Sequence, residues 1–217
     1  METPQAPGSM SQIARCREPG PALVGADEVQ TRSGMPVVHG NHDRWLHEGR
    51  KDDWNVDAWV RGVISPAHLD WLRAMPLSQA IEGEVFMCHA TPGDDNMYWM
   101  DMFTEDETVR TAPREHIETT ATGVDYPVLL CGHTHVQRNL RLADGRLLVN
   151  PGSVGLPFML GSPDARYAIL ERRGGIWSVD MIAVPYDRGP AQEQARALGF
   201  PGFATAIETG WARLSDL

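Results

Sequence analysis

The chain has 217 residues, enough for one domain with at most a small appendage. Apolar residues make up 42% and charged residues 22%, and no apolar run nears the roughly 18 residues of a membrane-spanning helix. A formal net charge of −10 argues against a surface that tracks duplex nucleic acid, although an acidic chain can still handle phosphate if a metal supplies positive charge locally.

Residues 1–34, with four prolines, four glycines and no clear period, read as irregular, apart from a short helix that residues 20–34 could hold. No apolar core of signal-peptide type follows Met1. The three cysteines, Cys16, Cys88 and Cys131, are odd in number and form no CxxC. Both features suit the cytoplasm. Met35 opens "MPVVH", a short strand pattern. "ISPAHLDWLRAMP" is a helix with Ser65 as N-cap, Pro66 at the first position and Pro76 as the stop. "EVFMCHA" (84–90) and "YPVLLCGHTH" (126–135) are further apolar strands, with a helix over 114–122 between them that ends at Gly123. Two hairpins follow, turning at Asp144-Gly145 and Gly174-Gly175, and short helices are expected over 190–198 and 201–213. Strands alternating with helices early and hairpins late predict an α/β layered fold on mixed sheets.

Three of the apolar runs end in polar groups within glycine- or proline-rich segments. The first delivers Asn41, His42 and Asp43, the second His89, and the third His133 and His135. Ligands in open α/β sheets bind at the carboxyl ends of strands, so neighbouring strands would bring these groups together. Imidazole with amide or carboxylate oxygen suits Zn, Mn, Fe, Co or Ni. A lone strand-end histidine is ordinarily structural, and His47, His68 and His116 fall in that class; His39 only flanks its motif. Ser153 in "NPGSVG" lacks the GxSxG elbow of a serine hydrolase and, with Asn150, reads as turn-forming. Cys88 and Cys131 read as small core hydrophobes. "DDNMYWMDMF" (94–103) reads as a partly exposed loop near the site, either a lid that packs Tyr98, Trp99 and Phe103 on the body or a wall that stacks a base or aryl group. Arg44 and Arg138 flank the motifs within reach of a phosphate.

"GNHD", "FMCHATP", "CGHTHVQ" and "NPGSVG", in this order, resemble the calcineurin-like metallophosphoesterase superfamily, and within it a small bacterial branch of phosphodiesterases and diadenosine-tetraphosphatase-like members. The resemblance runs from about Gly20 to the C-terminus. It implies a four-layer αββα sandwich over residues 35–217 that holds two divalent metal ions, with a small phosphorylated substrate as partner. Asn41, His89 and His133 resemble ligands of one ion and His135 a ligand of the other. His42 resembles the acid that protonates the leaving oxygen, with Asp43 to orient it.

The family also carries an Asp-x-His and a Gly-Asp upstream, and residues 1–40 contain neither; Asp27 in "GADEVQ" is a poor substitute. The expected site therefore lacks a bridging carboxylate and its fold the first strands. Metal occupancy falls to one ion or none, and turnover is expected to be low. The alternative is a non-catalytic relic that binds one ion or a protein partner.

Overall fold

The computed structural model describes residues 35–49 and 55–217; the expectations for residues 1–34 lie outside them. Three helices come first: α1 (Asn41–Glu48), α2 (Asn55–Val63) and α3 (Pro66–Ala74). Strands β1 (Ser78–Ile81), β2 (Val85–Cys88), β3 (Asp101–Phe103) and β4 (Val109–Thr111) follow. Then come α4 (Arg114–Thr120), β5 (Val128–Leu130), β6 (Arg138–Arg141), β7 (Leu147–Asn150), β8 (Ala165–Arg173) and β9 (Ile176–Val184). Helices α5 (Gly189–Ala197) and α6 (Pro201–Thr209) end the order before a 3₁₀ turn over Leu214–Asp216.

The main sheet has the order β1-β2-β5-β7-β6. Its three central strands β2, β5 and β7 run parallel, flanked by antiparallel β1 and β6. Parallel strands covered on both sides need apolar residues at every position, and the central sequences VFMC, VLL and LLVN supply them. Side chains alternate between the two faces. Val85, Met87, Val128, Leu130, Leu147 and Val149 meet the β8–β9 hairpin through Ala168, Leu170, Val179 and Met181. Cys88, Leu129 and Leu148 point the other way and pack on Ile117 and Ala121 of the α4 region. Helix, sheet and second sheet are thereby stacked as the apolar pattern requires, in an α/β arrangement. A second apolar body gathers Leu46, Val56, Val60 and Leu72 of α1–α3 with Phe203, Ala206 and Ile207 of α6.

Local signals are realised where the chain carries them. Ser65 Oγ accepts the His68 N–H at 3.2 Å and Pro66 opens α3. Leu142 and Arg146 pair their backbones across Asp144-Gly145, and Gly174 and Gly175 carry the positive φ that the second hairpin turn needs. "MPVVH" departs from its expected strand. Val38 is buried against β2 and β5 as a core residue. Met35–Gly40 nonetheless joins no ladder; His39 N–H bonds Pro76 O at 3.1 Å, and Gly40 turns its own N–H and C=O to the start of α1. Apolar, β-branched residues give burial; a strand also requires a paired neighbour.

Candidate functional site

The C-terminal ends of β2, β5 and β7 lie side by side and deliver the site. His89 follows β2 directly, the Gly132–His135 loop leaves β5, and Asn150 ends β7. "GNHD" is not a loop after a strand, as the sequence suggested, but the start of α1. Gly40 is the N-cap, with extended backbone (φ −105°, ψ 178°), and Asp43 Oδ2 accepts its N–H at 2.9 Å. Asn41 and His42 therefore ride on the first helical turn. A side chain at Gly40 would collide with the His89 ring, so the helix N-terminus is pressed against the imidazole.

Asn41, His89 and His133 converge. Asn41 Oδ1 accepts from His89 Nε2 at 2.9 Å, and the His89 and His133 rings lie edge to face with centroids 5.2 Å apart. Donors bound to one ion at about 2.0–2.2 Å lie roughly 3 Å apart when they subtend a right angle, so the Asn41–His89 spacing suits a shared cation. His133 Nε2 is buried and, among the described residues, has no hydrogen-bond partner. A buried polar atom left unpaired is costly, and a cation would satisfy it. His135 Nδ1 donates to Leu156 O at 2.7 Å, which leaves Nε2 with the lone pair that a metal needs. Imidazole nitrogen and amide oxygen are donors that suit a borderline divalent ion such as Zn, although among the described residues no three His, Cys, Asp or Glu side chains are grouped to hold a metal.

Residues 21–175 match the Calcineurin-like phosphoesterase superfamily domain, which spans more than half of the chain. The chain belongs to this superfamily. Its members use divalent metal ions, in keeping with the donors gathered here. Among solved structures, a metallophosphoesterase from Sphaerobacter thermophilus is similar over 86% of this chain and 82% of its own, at 25% identity and a TM-score of 0.67. A hypothetical protein from Pyrococcus horikoshii OT3 shares the fold at 15% identity, with a TM-score of 0.67, over 88% of this chain and 80% of its own. No curated protein sequence matches.

The calcineurin-like site holds strained backbone. His133 (φ 66°) and His135 (φ 59°) are both left-handed, a conformation that costs a non-glycine residue roughly 1 kcal/mol or more. Burial drives both imidazoles down from 6.5 to a pKa of about 4, helped at His133 by the nearby His42 and opposed at His135 by the bond to Leu156. Both rings are thus neutral, as metal ligands must be. The native state binds these protons more weakly than the unfolded chain. The associated stability is therefore complete above about pH 6.5 and drains away as pH falls toward about 4, by an amount on the order of 3 kcal/mol per imidazole. Urea unfolding of the chelated protein should show stability falling between about pH 6.5 and pH 5, above the ordinary carboxylate range. A flat profile there would contradict the burial of these two groups.

The carboxylate that the structure sets against His42 Nδ1 is Asp57 of α2, with its two oxygens at 2.9 and 3.0 Å, and not Asp43. Asp43 instead caps α1 through the Gly40 N–H. Sequence reasoning missed Asp57 because nothing in "WNVDAW" marks it as a partner of a residue 15 positions upstream. The two flanking arginines hold protein carboxylates: Arg44 is bidentate on buried Asp95 (2.7 and 2.9 Å), and Arg138 Nε donates to buried Asp101 at 2.8 Å. His39 lies 3.4 Å from the same Asp95. The 94–103 loop does border the site, with the Tyr98 ring stacked on His133 at 5.3 Å and Trp99 buried. Ser153 is buried, and its Oγ accepts the Leu156 N–H at 3.0 Å, the role of a turn former. Cys88 and Cys131 are buried and burial raises both thiol pKa values, which makes them core residues and poor nucleophiles.

Proposed function

We propose that this chain hydrolyses the phosphate ester of a small molecule, monoester or diester, at one divalent ion held by Asn41, His89 and His133. The single observation that carries the reading is the buried, unpartnered Nε2 of His133 beside the 2.9 Å Asn41–His89 pair. When bound, the ion supplies positive charge for the phosphate oxygens and acidifies a water.

The chain's own residues do the rest. Asn41, His89 and His133 present neutral donors, and His135 stands ready with Nε2. His42, fixed through Nδ1 by Asp57, donates a proton from its other nitrogen to the departing oxygen. Tyr98 covers one side of His133 and keeps water from that ligand. The neutral donor set also supports a second reading, a chain that retains one ion without turnover.

The test is metal content together with hydrolysis of chromogenic phosphate mono- and diesters, with and without chelator. The expected result is about one Mn or Zn per chain, slow turnover that chelation abolishes, and loss of both in His89→Ala, since removal of one of three ligands from a neutral set leaves too few to hold the ion. Metal retained without turnover would select the second reading. Turnover that survives chelation would overturn both readings.

A further inference from the structure

We propose that Asn150 is a positioning residue that clamps the Gly132–His135 loop into the conformation in which His133 and His135 present their ligand atoms. This rests on the metal-binding reading of those two histidines.

The loop cannot hold its own shape. His133 and His135 are both left-handed, and a conformation that ordinary residues avoid persists only where the surroundings dictate it. Asn150 provides such a constraint. It ends the central strand β7 and is 1% exposed. Its amide nitrogen donates to Gly132 O at 2.7 Å and to Thr134 Oγ1 at 3.1 Å, so it grips the loop on both sides of His133. Its Oδ1 accepts the Gly152 N–H at 2.9 Å. Both amide donors and the acceptor are thereby used, which explains an asparagine: aspartate lacks the donors and an aliphatic isostere satisfies none of the three partners.

The clamp reaches the three histidine segments. Gly132 N–H bonds His89 O at 2.6 Å, which ties the loop to the β2 end. On the other side, Gly152 leads into the turn that Ser153 Oγ closes on Leu156 N–H, and Leu156 O in turn fixes His135 Nδ1. A single buried amide, itself no proposed ligand, thus couples His89, His133 and His135.

The experiment measures Zn binding by calorimetry, together with side-chain ¹⁵N spectra of the metal-free chain, for Asn150→Asp, Thr134→Val and Thr134→Ser. Ile117→Ala, which deletes a buried apolar side chain of the cluster that packs α4 on the sheet, serves as a control for general destabilisation. Asn150→Asp should weaken Zn about 10- to 100-fold and change the His133 and His135 nitrogen shifts. Thr134→Val, which removes one acceptor of the clamp, should show a smaller loss of the same kind, and Thr134→Ser, which keeps the hydroxyl, should restore binding. Ile117→Ala should lower Tm without weakening Zn. If Asn150→Asp does not fold, the Thr134 pair decides by itself. Wild-type affinity and unchanged histidine shifts in Asn150→Asp, or equal binding by the two Thr134 variants, would overturn the proposal. Absence of Zn binding by the wild-type chain would instead defeat the metal reading, and the histidine shifts would still report on the clamp.

Discussion

Gly40→Ala is expected to weaken metal binding at least about tenfold while leaving the fold almost intact. A Cβ built at Gly40 lies 2.6 Å from His89 Cε1, 2.7 Å from Nδ1 and 2.9 Å from Nε2. Real carbon atoms do not approach so closely, so the ring or the helix start must move. The helix start is tied by the Asp43 bond to its own N–H and by the buried Leu46 further along α1, whereas an imidazole can rotate about two torsions. The ring therefore yields and loses its 2.9 Å contact with Asn41. The backbone is ordinary at φ −105°, so alanine adds no torsional strain there. Its smaller unfolded-state entropy stabilises by about 0.4–1 kcal/mol, against about 1–3 kcal/mol for the crowded ring. The net cost is on the order of 2 kcal/mol, a shift of a few degrees in Tm for a chain of this size. Metal affinity should fall by at least about tenfold, the scale seen when a ligand's support is lost. Calorimetric titration with Zn beside a thermal melt checks both halves; a variant that binds metal as the wild type does would show that His89 is not where the ion sits.

Asp57→Asn should give the second large effect, on turnover and not on binding. Both carboxylate oxygens of Asp57 lie within 3.0 Å of His42 Nδ1, so the ring's Nδ1–H is held and its other nitrogen is directed elsewhere. Asparagine occupies the same space but can offer an N–H to Nδ1, which favours the opposite tautomer. A general acid held in the wrong tautomer loses about 10²–10⁴ in rate. The loss should fall on kcat with KM little changed, because His42 acts on the leaving oxygen as it departs. It should also depend on that oxygen's basicity. Esters of alkyl alcohols, whose alkoxides need the proton, should suffer the full loss, and nitrophenyl esters, whose anions leave unaided, much less. Equal losses on the two substrate types would remove His42 from the role of acid.

Tertiary context explains why Asp57, and not Asp43, stands in that position. Asp43 follows His42 immediately, and adjacency made it the natural candidate. Consecutive residues on a helix point in different directions, however, and once "GNHD" becomes the first turn of α1, Asp43 falls at the third helical position, where its carboxylate reaches back to the cap N–H. The packing of α2 on α1 then brings in Asp57. Val38 tells the same story for the fold. Its residue type placed it in the core, but the ladder that would have made "MPVVH" a strand depends on a paired neighbouring strand, and residues 35–40 form no strand.

What the residues alone determined is whatever acts over a few positions. Ser65 and Pro66 set the start of α3 within one turn, Asp144-Gly145 and Gly174-Gly175 set the two hairpins, and short apolar runs set β2, β5 and β7. The kinds of donor at the site were equally legible, because imidazole and amide chemistry belongs to the residue. Only the tertiary structure decided which groups meet: Asn41 with His89 across 48 positions, His135 with the Leu156 carbonyl across 21, and Asn150 with Gly132 across 18. Such pairings carry no local energetic signature. They exist because parallel strands from distant parts of the chain are packed edge to edge, and that packing is a property of the whole core.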